Sequence, residues 1–378
     1  MTNHSAVKRV YIVMIGIMVV LALFFIFHPT STSVQAGRSG ISKQDTLIAH
    51  NLSVPWQLVF LPDGDLLVTE RDGTLLRQGK INQQLKVPKV QATGEGGLLG
   101  MALDPEFTTN HYLYLFRTTQ QVGALKNQIV RFEYNPPHTL SHETVLLDNI
   151  PAASTHNGGR IAFGPDNNLY ITTGDAEHPE NSQLLSSLSG KILRITKDGH
   201  PAPGNPFDNE IYSYGHRNPE GLAWDNQQRL WSIEHGQSYN DEVNLIQMGH
   251  NYGWPLSIGK QAVVDITPPI LSSGSQETWA PAGAAILNNK LFFTGLRGQT
   301  LYEMPLDFAA DSTPQLRGHL REQYGRLRDV VIGPDEFLYV LTSNRDGRGV
   351  PSSEDDKIIR INPATLKGTD LKPSPNAE

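Results

Sequence analysis

The sequence predicts an all-β fold, a six-bladed β-propeller preceded by an N-terminal apolar segment. Two observations carry this expectation. One local pattern, an Asp-containing turn followed by a short apolar-alternating run, recurs along the chain. The distances between its copies are close to multiples of one length. A third observation excludes the helical alternatives: the best helical period lies in "ENSQLLSSLSGKILRI", and it soon turns into a strand.

Taken in order, the copies are "FLPDGDLLVTERDGTLLRQ" from Phe60, "FGPDNNLYITTGD" from Phe163, "WDNQQRLWSIEHG" from Trp224 and "IGPDEFLYVLTSN" from Ile332. Asp and Asn favour such turns because their side chains accept bonds from their own backbone. The alternation after each turn reads as a half-buried strand. "HYLYLFRTT", "NQIVRFEYN" and "NKLFFTGLRGQTLYEMPL" supply further strands between the copies. Asp63 to Asp166 is 103 residues, Asp166 to Asp225 is 59 and Asp225 to Asp335 is 110. These are near two, one and two units of about 55 residues, and radial repetition of four-stranded units is a propeller. The body, residues 41–370, holds six such units, and residues 371–378 read as a polar tail. In a propeller the connecting loops gather around a central channel, so function belongs in the loops that flank the repeated strands.

Composition narrows the function. Hydrophobic residues are 38% and charged residues 18%, a globular balance. The net charge of −7 argues against nucleic acid, which demands a basic face. With no cysteine, disulfides, thiolate metal sites and Cys nucleophiles are excluded together. Residues 1–40 read as a separate segment. Lys8 and Arg9 precede an uncharged run from Tyr11 to Phe27, and a small polar stretch with Val34 and Ala36 follows. This order fits a secretory signal peptide cleaved after Ala36, or a membrane anchor just long enough to span a bilayer. Either places the body outside the cytoplasm, periplasmic or secreted, with membrane contact only through the uncleaved segment.

Five polar loops remain. "THNGGR" holds His156 and Arg160, and Asp175 ends the strand that begins near Leu169. His156 is either a structural histidine or a general base whose tautomer Asp175 fixes. "SYGHRNPEG" holds His216, Arg217 and Asn218, and an Arg fork suits carboxylate or phosphate as well as a plain surface turn. "EHGQSYNDEVNLI" holds Glu234, Gly236, Gln237, Asn240, Asp241 and Glu242, an oxygen-rich set that suits a hard cation or a solvated acidic turn. "EGGLLG" begins at Glu95. In "GRLRD", Arg326 and Arg328 alternate, so in a strand they share one face and repel unless an anion lies between them. There is no G-x-G-x-x-G after a strand, P-loop, G-x-S-x-G elbow or H-E-x-x-H, so nicotinamide, nucleotide, serine-hydrolase and zincin chemistry lack support.

Together the segments "GEGGLLGMALDPEF", "HNGGR", "YGHRNPEGLAW", "DEVNLI", "NYGWP" and "RLRDV", in this order, resemble the soluble PQQ-dependent sugar dehydrogenases. The resemblance covers most of the body. It implies a six-bladed propeller with pyrroloquinoline quinone (PQQ) in the central pocket. It further implies His156 as general base and Asp175 as its support, with Arg217 and Asn218 contacting the cofactor. Arg326 and Arg328 match the arginines that hold its carboxylates. Gly236 and Gln237 match carbonyl donors to the cofactor's Ca²⁺, and Glu242 and Tyr252 resemble ligands of a further Ca²⁺ site. The chain departs from the pattern in places. Glu95 stands where the family usually has Gln, which predicts weaker quinone binding unless Glu95 is protonated or faces the metal. Gln237 replaces a Pro, and Arg297 replaces a cofactor-contacting Lys. "AEHPEN" after Asp175 differs from the sugar-contacting loop, so sugar specificity does not carry over.

The expected function is therefore PQQ-dependent oxidation of an aldose at its anomeric carbon to the lactone, with electrons passed to an external acceptor. Two alternatives share the scaffold: a Ca²⁺-dependent lactonase, and a non-catalytic propeller that binds sugar or protein.

Overall fold

The computed structural model describes residues 45–309 and 312–371. Residues 1–40, where a signal or anchor is expected, and the tail beyond Leu371 lie outside the described residues. Among those described, six antiparallel sheets succeed one another along the chain, five of four strands and one of five. Their inner strands are Pro55–Phe60, Leu98–Leu103, Ile161–Phe163, Pro219–Trp224, Pro281–Leu287 and Leu327–Ile332. They open blades 1 to 6 in turn. Pro55–Phe60 packs on Leu98–Leu103 on one side and on Leu327–Ile332 on the other, which closes the ring. This is the predicted six-bladed propeller.

The recurrent turns lie between the first and second strands of blades 1, 3, 4 and 6, which explains the spacing of two, one and two units. In each, the aspartate caps its own turn. Asp63 accepts from Asp65 N at 3.0 Å, Asp166 from Asn168 N at 3.2 Å, Asp225 from Gln227 N at 2.9 Å and Asp335 from Phe337 N at 3.3 Å. The strands that follow correct one expectation. Leu66–Glu70, Leu169–Thr173, Leu230–Glu234 and Leu338–Thr342 are buried along their whole length rather than on one face. Each lies in a blade sandwiched between two others, so its polar positions are covered as well as its apolar ones. The core accordingly sits between blades. Trp56 and Leu99 pack with Tyr114, Phe116 and Ile171 across blades 1 to 3, and Trp231 packs with Trp279, Phe293 and Tyr302 across blades 4 and 5.

Closure is made by the first described strand. Thr46–Ala49 is the outer strand of blade 6, paired antiparallel with Ile358–Ile361. Thr369–Leu371 adds a fifth strand to blade 5 by pairing with Leu316–His319. Beside this closure lie two buried carboxyls. Glu70 accepts the Ser53 amide at 2.5 Å, and Asp356 accepts the Asn344 amide at 2.5 Å. Burial pushes Glu70 up to about 7 and Asp356 up to about 6. Both therefore bind protons more tightly folded than unfolded, and their contribution to stability falls as pH rises from about 4 to about 7. Glu70→Gln is expected to flatten that fall, measured by urea unfolding across the window. Parallel curves for variant and parent would remove Glu70 from the account.

Candidate active site

The channel end that carries the site is built from segments that precede inner strands and follow second strands. His156 lies just before the inner strand of blade 3, with φ +57°, in the left-handed region. Main-chain bonds hold it there independently of its ring. Its N–H donates to Glu95 Oε2 at 2.9 Å, and its carbonyl accepts from Ala176 N at 3.1 Å. The neighbouring glycines serve this packing. A Cβ on Gly174 would come within 2.0 Å of the His156 carbonyl, and one on Gly158 within 2.6 Å of Thr172 O. They admit backbone.

The ring of His156 is fixed from both sides. Nδ1 meets Asp175 Oδ1 at 2.8 Å, and Asp175 is fully buried. The second carboxylate oxygen of Asp175 accepts from Trp254 Nε1 at 2.9 Å. A carboxylate on Nδ1 favours the tautomer with hydrogen on that nitrogen, which leaves Nε2 as the acceptor. Nε2 accepts from Arg217 Nη2 at 2.9 Å. Arg217 also donates Nη1 to the Gly236 carbonyl at 2.7 Å, while its buried Nε has no partner among the described residues. Burial lowers its pKa, against the raising charge of Asp175.

Arg160, four residues after His156, has a different task. It is buried over the Trp56 ring at 4.5 Å, with Nε donating to Glu220 O at 2.8 Å and Nη2 paired with Asp329 at 3.0 Å. It ties blade 3 to blades 1, 4 and 6 beneath the site.

The two arginines of "GRLRD" do not depend on an anion between them. Arg326 is paired with Asp346, at 2.9 Å from Nε and 2.7 Å from Nη2. Arg328 Nη1 is 2.5 Å from Glu220 Oε2. The strand alternation raised their repulsion, but it could not reveal carboxylates from other loops. Arg328 still keeps a buried Nε without a partner among the described residues. Glu95 has likewise found a solution that its sequence position did not suggest. Besides His156 N, it meets Arg348 Nη1 at 2.7 Å, so its charge is compensated by a guanidinium.

The acidic loop after blade 4's second strand is mostly spent on itself. Asp241 accepts from Gly236 N at 2.9 Å, Trp279 N at 2.6 Å and Ala280 N at 3.0 Å. Glu234 accepts from His216 Nδ1 at 2.8 Å and from Arg217 N. His216 is fully buried and stacks on Tyr252, so it belongs to the scaffold. The Tyr252 hydroxyl donates to Leu245 O at 2.7 Å, which leaves only its carbonyl for a cation. Burial, then the Glu234 charge, pushes Glu242 above the usual carboxylate range. Gln237 is exposed. Asn218 is buried, and its amide is used internally, accepting from Gly158 N at 2.8 Å and donating to Glu220 at 3.1 Å. Arg297 is exposed beyond the second strand of blade 5. Among the described residues no cluster of three or more His, Cys, Asp or Glu is placed to hold a metal.

Against this geometry, the family model described as Glucose / Sorbosone dehydrogenase matches residues 52–352. The chain belongs to that family. Among similar proteins is the quinoprotein glucose dehydrogenase B of Acinetobacter calcoaceticus, 35% identical over 246 residues, 55% of this chain and 52% of that one. An aldose sugar dehydrogenase of Escherichia coli K12 is 32% identical over 341 residues, 80% of this chain and 90% of that one. The solved PQQ-bound form of an aldose sugar dehydrogenase from Streptomyces coelicolor superposes with a TM-score of 0.78 at 43% identity, covering 83% of this chain and 96% of that one.

In this glucose/sorbosone dehydrogenase family member, Trp254 of "NYGWP" has a place that the sequence alone does not reveal. The tryptophan lies 79 residues from Asp175, and only the fold brings its indole N–H to that carboxylate and its ring to 5.4 Å from the Arg217 guanidinium. A bond to a charged acceptor contributes roughly 1.5–3 kcal/mol. Trp254→Phe, which keeps the ring near Arg217, is expected to lower kcat about tenfold with little change in KM for substrate. An unchanged kcat would show that Asp175 is held well enough without it.

Proposed function

We propose that the chain is a PQQ-dependent aldose dehydrogenase that oxidises the sugar's anomeric carbon to the lactone. The observation that carries this reading is the Asp175–His156 pair, at 2.8 Å, with Nε2 facing the guanidinium of Arg217. Family membership, and the names of relatives that are quinoprotein glucose and aldose sugar dehydrogenases, support it.

The site's chemistry fits an anionic, oxygen-rich cofactor. Arg217 and Arg328 each present a buried Nε with no partner among the described residues, and Arg326 lies beside Arg328. These groups would hold the carboxylates and quinone oxygens, and Arg297 would lend a further positive charge at the edge. When bound, PQQ supplies the hydride-accepting carbonyl. The rest is the work of this chain. Asp175 holds the His156 tautomer, Trp254 holds Asp175, and Nε2 takes the proton of the anomeric hydroxyl. To do so, Nε2 must exchange its bond from Arg217 for one from the substrate. Arg217, released from Nε2, would then be free to donate to an oxygen of the bound cofactor. Calcium belongs to the same proposal, held by the carbonyls of Gly236 and Gln237. Glu242 and the Tyr252 carbonyl offer oxygen donors for a second ion. An external acceptor would take the electrons, and an extracytoplasmic location would suit that exchange.

The test is reduction of a redox dye by the full chain supplied with PQQ, Ca²⁺ and a panel of aldoses. PQQ-dependent dye reduction with at least one sugar is expected. No turnover with any sugar, and no change in quinone absorbance on mixing, would end the reading. Lactone hydrolysis without PQQ would replace it with a hydrolase.

A further inference from the structure

Arg71 is a cation that stands apart from the groups placed at the site above. It follows the second strand of blade 1, and its N–H donates to Val54 O, just before the inner strand, at 3.2 Å. The same bond recurs around the ring. His235 N donates to Asn218 O at 3.1 Å, Leu296 N to Ala280 O at 2.9 Å and Ser343 N to Arg326 O at 2.8 Å. Asn218 and Arg326 are residues of the site, so this bond marks the rim on which the site is built. By that register Arg71 occupies the rim in blade 1.

Its side chain is half-buried and passes over Gly97, where a Cβ would come within 2.8 Å of Arg71 Cγ. Among the described residues its guanidinium has no hydrogen bond or ion pair, although charged groups surround it. Those groups are Arg328, Asp346, Glu95 and Arg348. Both carboxylates are already occupied, Asp346 by Arg326 and Glu95 by Arg348 and the His156 amide. Arg328, the like charge, carries a buried Nε with no partner among the described residues. Two neighbouring guanidiniums with unfilled N–H groups, partly withdrawn from water, repel each other and lose hydrogen bonds. An anion that reaches both removes the two costs at once.

We infer that Arg71 is a binding residue for the anionic cofactor, donating with Arg328 to one of its carboxylates. The inference rests on the quinone reading above. It adds a blade 1 contact to a clamp otherwise drawn from blades 4 to 6. Planar, bidentate donation suits Arg better than Lys at such a position.

The experiment is a titration of the full chain with PQQ, followed by quinone absorbance in the absence of sugar, for the parent, Arg71→Met and Arg71→Lys. Methionine keeps an apolar stem over Gly97 and removes every donor. The expected result is a Kd raised tenfold or more in Arg71→Met, with a weaker dependence on salt. Arg71→Lys should recover part of the loss, and the urea midpoint of Arg71→Met should equal or exceed that of the parent. Binding by Arg71→Met within twofold of the parent would overturn the inference. So would a fall in urea midpoint that accompanies the lost binding, since that would make Arg71 a packing residue. If the parent itself binds no PQQ, the quinone reading fails first and this inference falls with it.

Discussion

Replacing His156 with alanine is expected to lower turnover by about two to four orders of magnitude, the usual worth of a positioned general base, while quinone binding stays near that of the parent. The two effects separate because different atoms carry them. In the proposed reaction the proton would go to Nε2, whereas the loop is held by the main chain of His156, through Glu95 Oε2 on one side and Ala176 N on the other. The proposed anion clamp of Arg217, Arg326 and Arg328 comes from other blades. One complication is the left-handed φ of His156, +57°, which alanine tolerates less well than asparagine. His156→Asn therefore serves as the companion variant, since it keeps the backbone preference and removes the basic nitrogen. Both should fail in turnover and both should bind PQQ. A turnover unchanged in either variant would remove His156 as the base. Loss of binding in both would mean that the ring itself holds the cofactor.

Asp329→Ala carries the second large effect, on stability. Arg160 and Asp329 form a buried pair at the centre of the ring, 5% and 1% exposed, with Nη2 3.0 Å from Oδ1. Around them, Arg160 lies over Trp56 of blade 1 and donates to Glu220 O of blade 4. A Cβ on Gly283 of blade 5 would come within 2.1 Å of Asp329 Oδ1. Five blades thus converge on one charge pair, and removal of one partner leaves the other charged, buried and uncompensated. The expected loss is about 3–5 kcal/mol, read as a lower urea midpoint. A double variant, Arg160→Met with Asp329→Leu, should recover a large part of it, because a well-packed apolar pair carries no unpaired charge. A single variant as stable as the parent would show that water reaches the pair.

Much of this was legible in the chain. The turns of Asp63, Asp166, Asp225 and Asp335 are local events within a few residues, so their spacing reports blade number directly. The segments around His156, Arg217 and Arg326 stood out because Gly, Arg and His in short loops have few structural reasons to coincide in that order. The partners of those residues were far less legible. Arg326 and Arg328 read as a repelling pair, because Asp346 lies 20 residues from one and Glu220 lies 108 from the other. Glu95 read as an uncompensated charge, because Arg348 is 253 residues away. Arg160 lies in the same short loop as His156, yet its partners are Asp329, Trp56 and the Glu220 carbonyl of other blades. Arg71 drew no notice, since "TERDG" is an ordinary strand end until the ring brings it to the rim.

The sequence by itself determined the strands, the turns between them, the sixfold repetition and the family to which the chain belongs. These depend on side chains acting on their own backbone or on apolar period, both of which are short-range. Only the tertiary structure decided which charge meets which. Closing six blades into a ring sets residues more than a hundred positions apart at hydrogen-bond distance, and an ion pair depends on that distance and on exclusion of water, neither of which is written in sequence order.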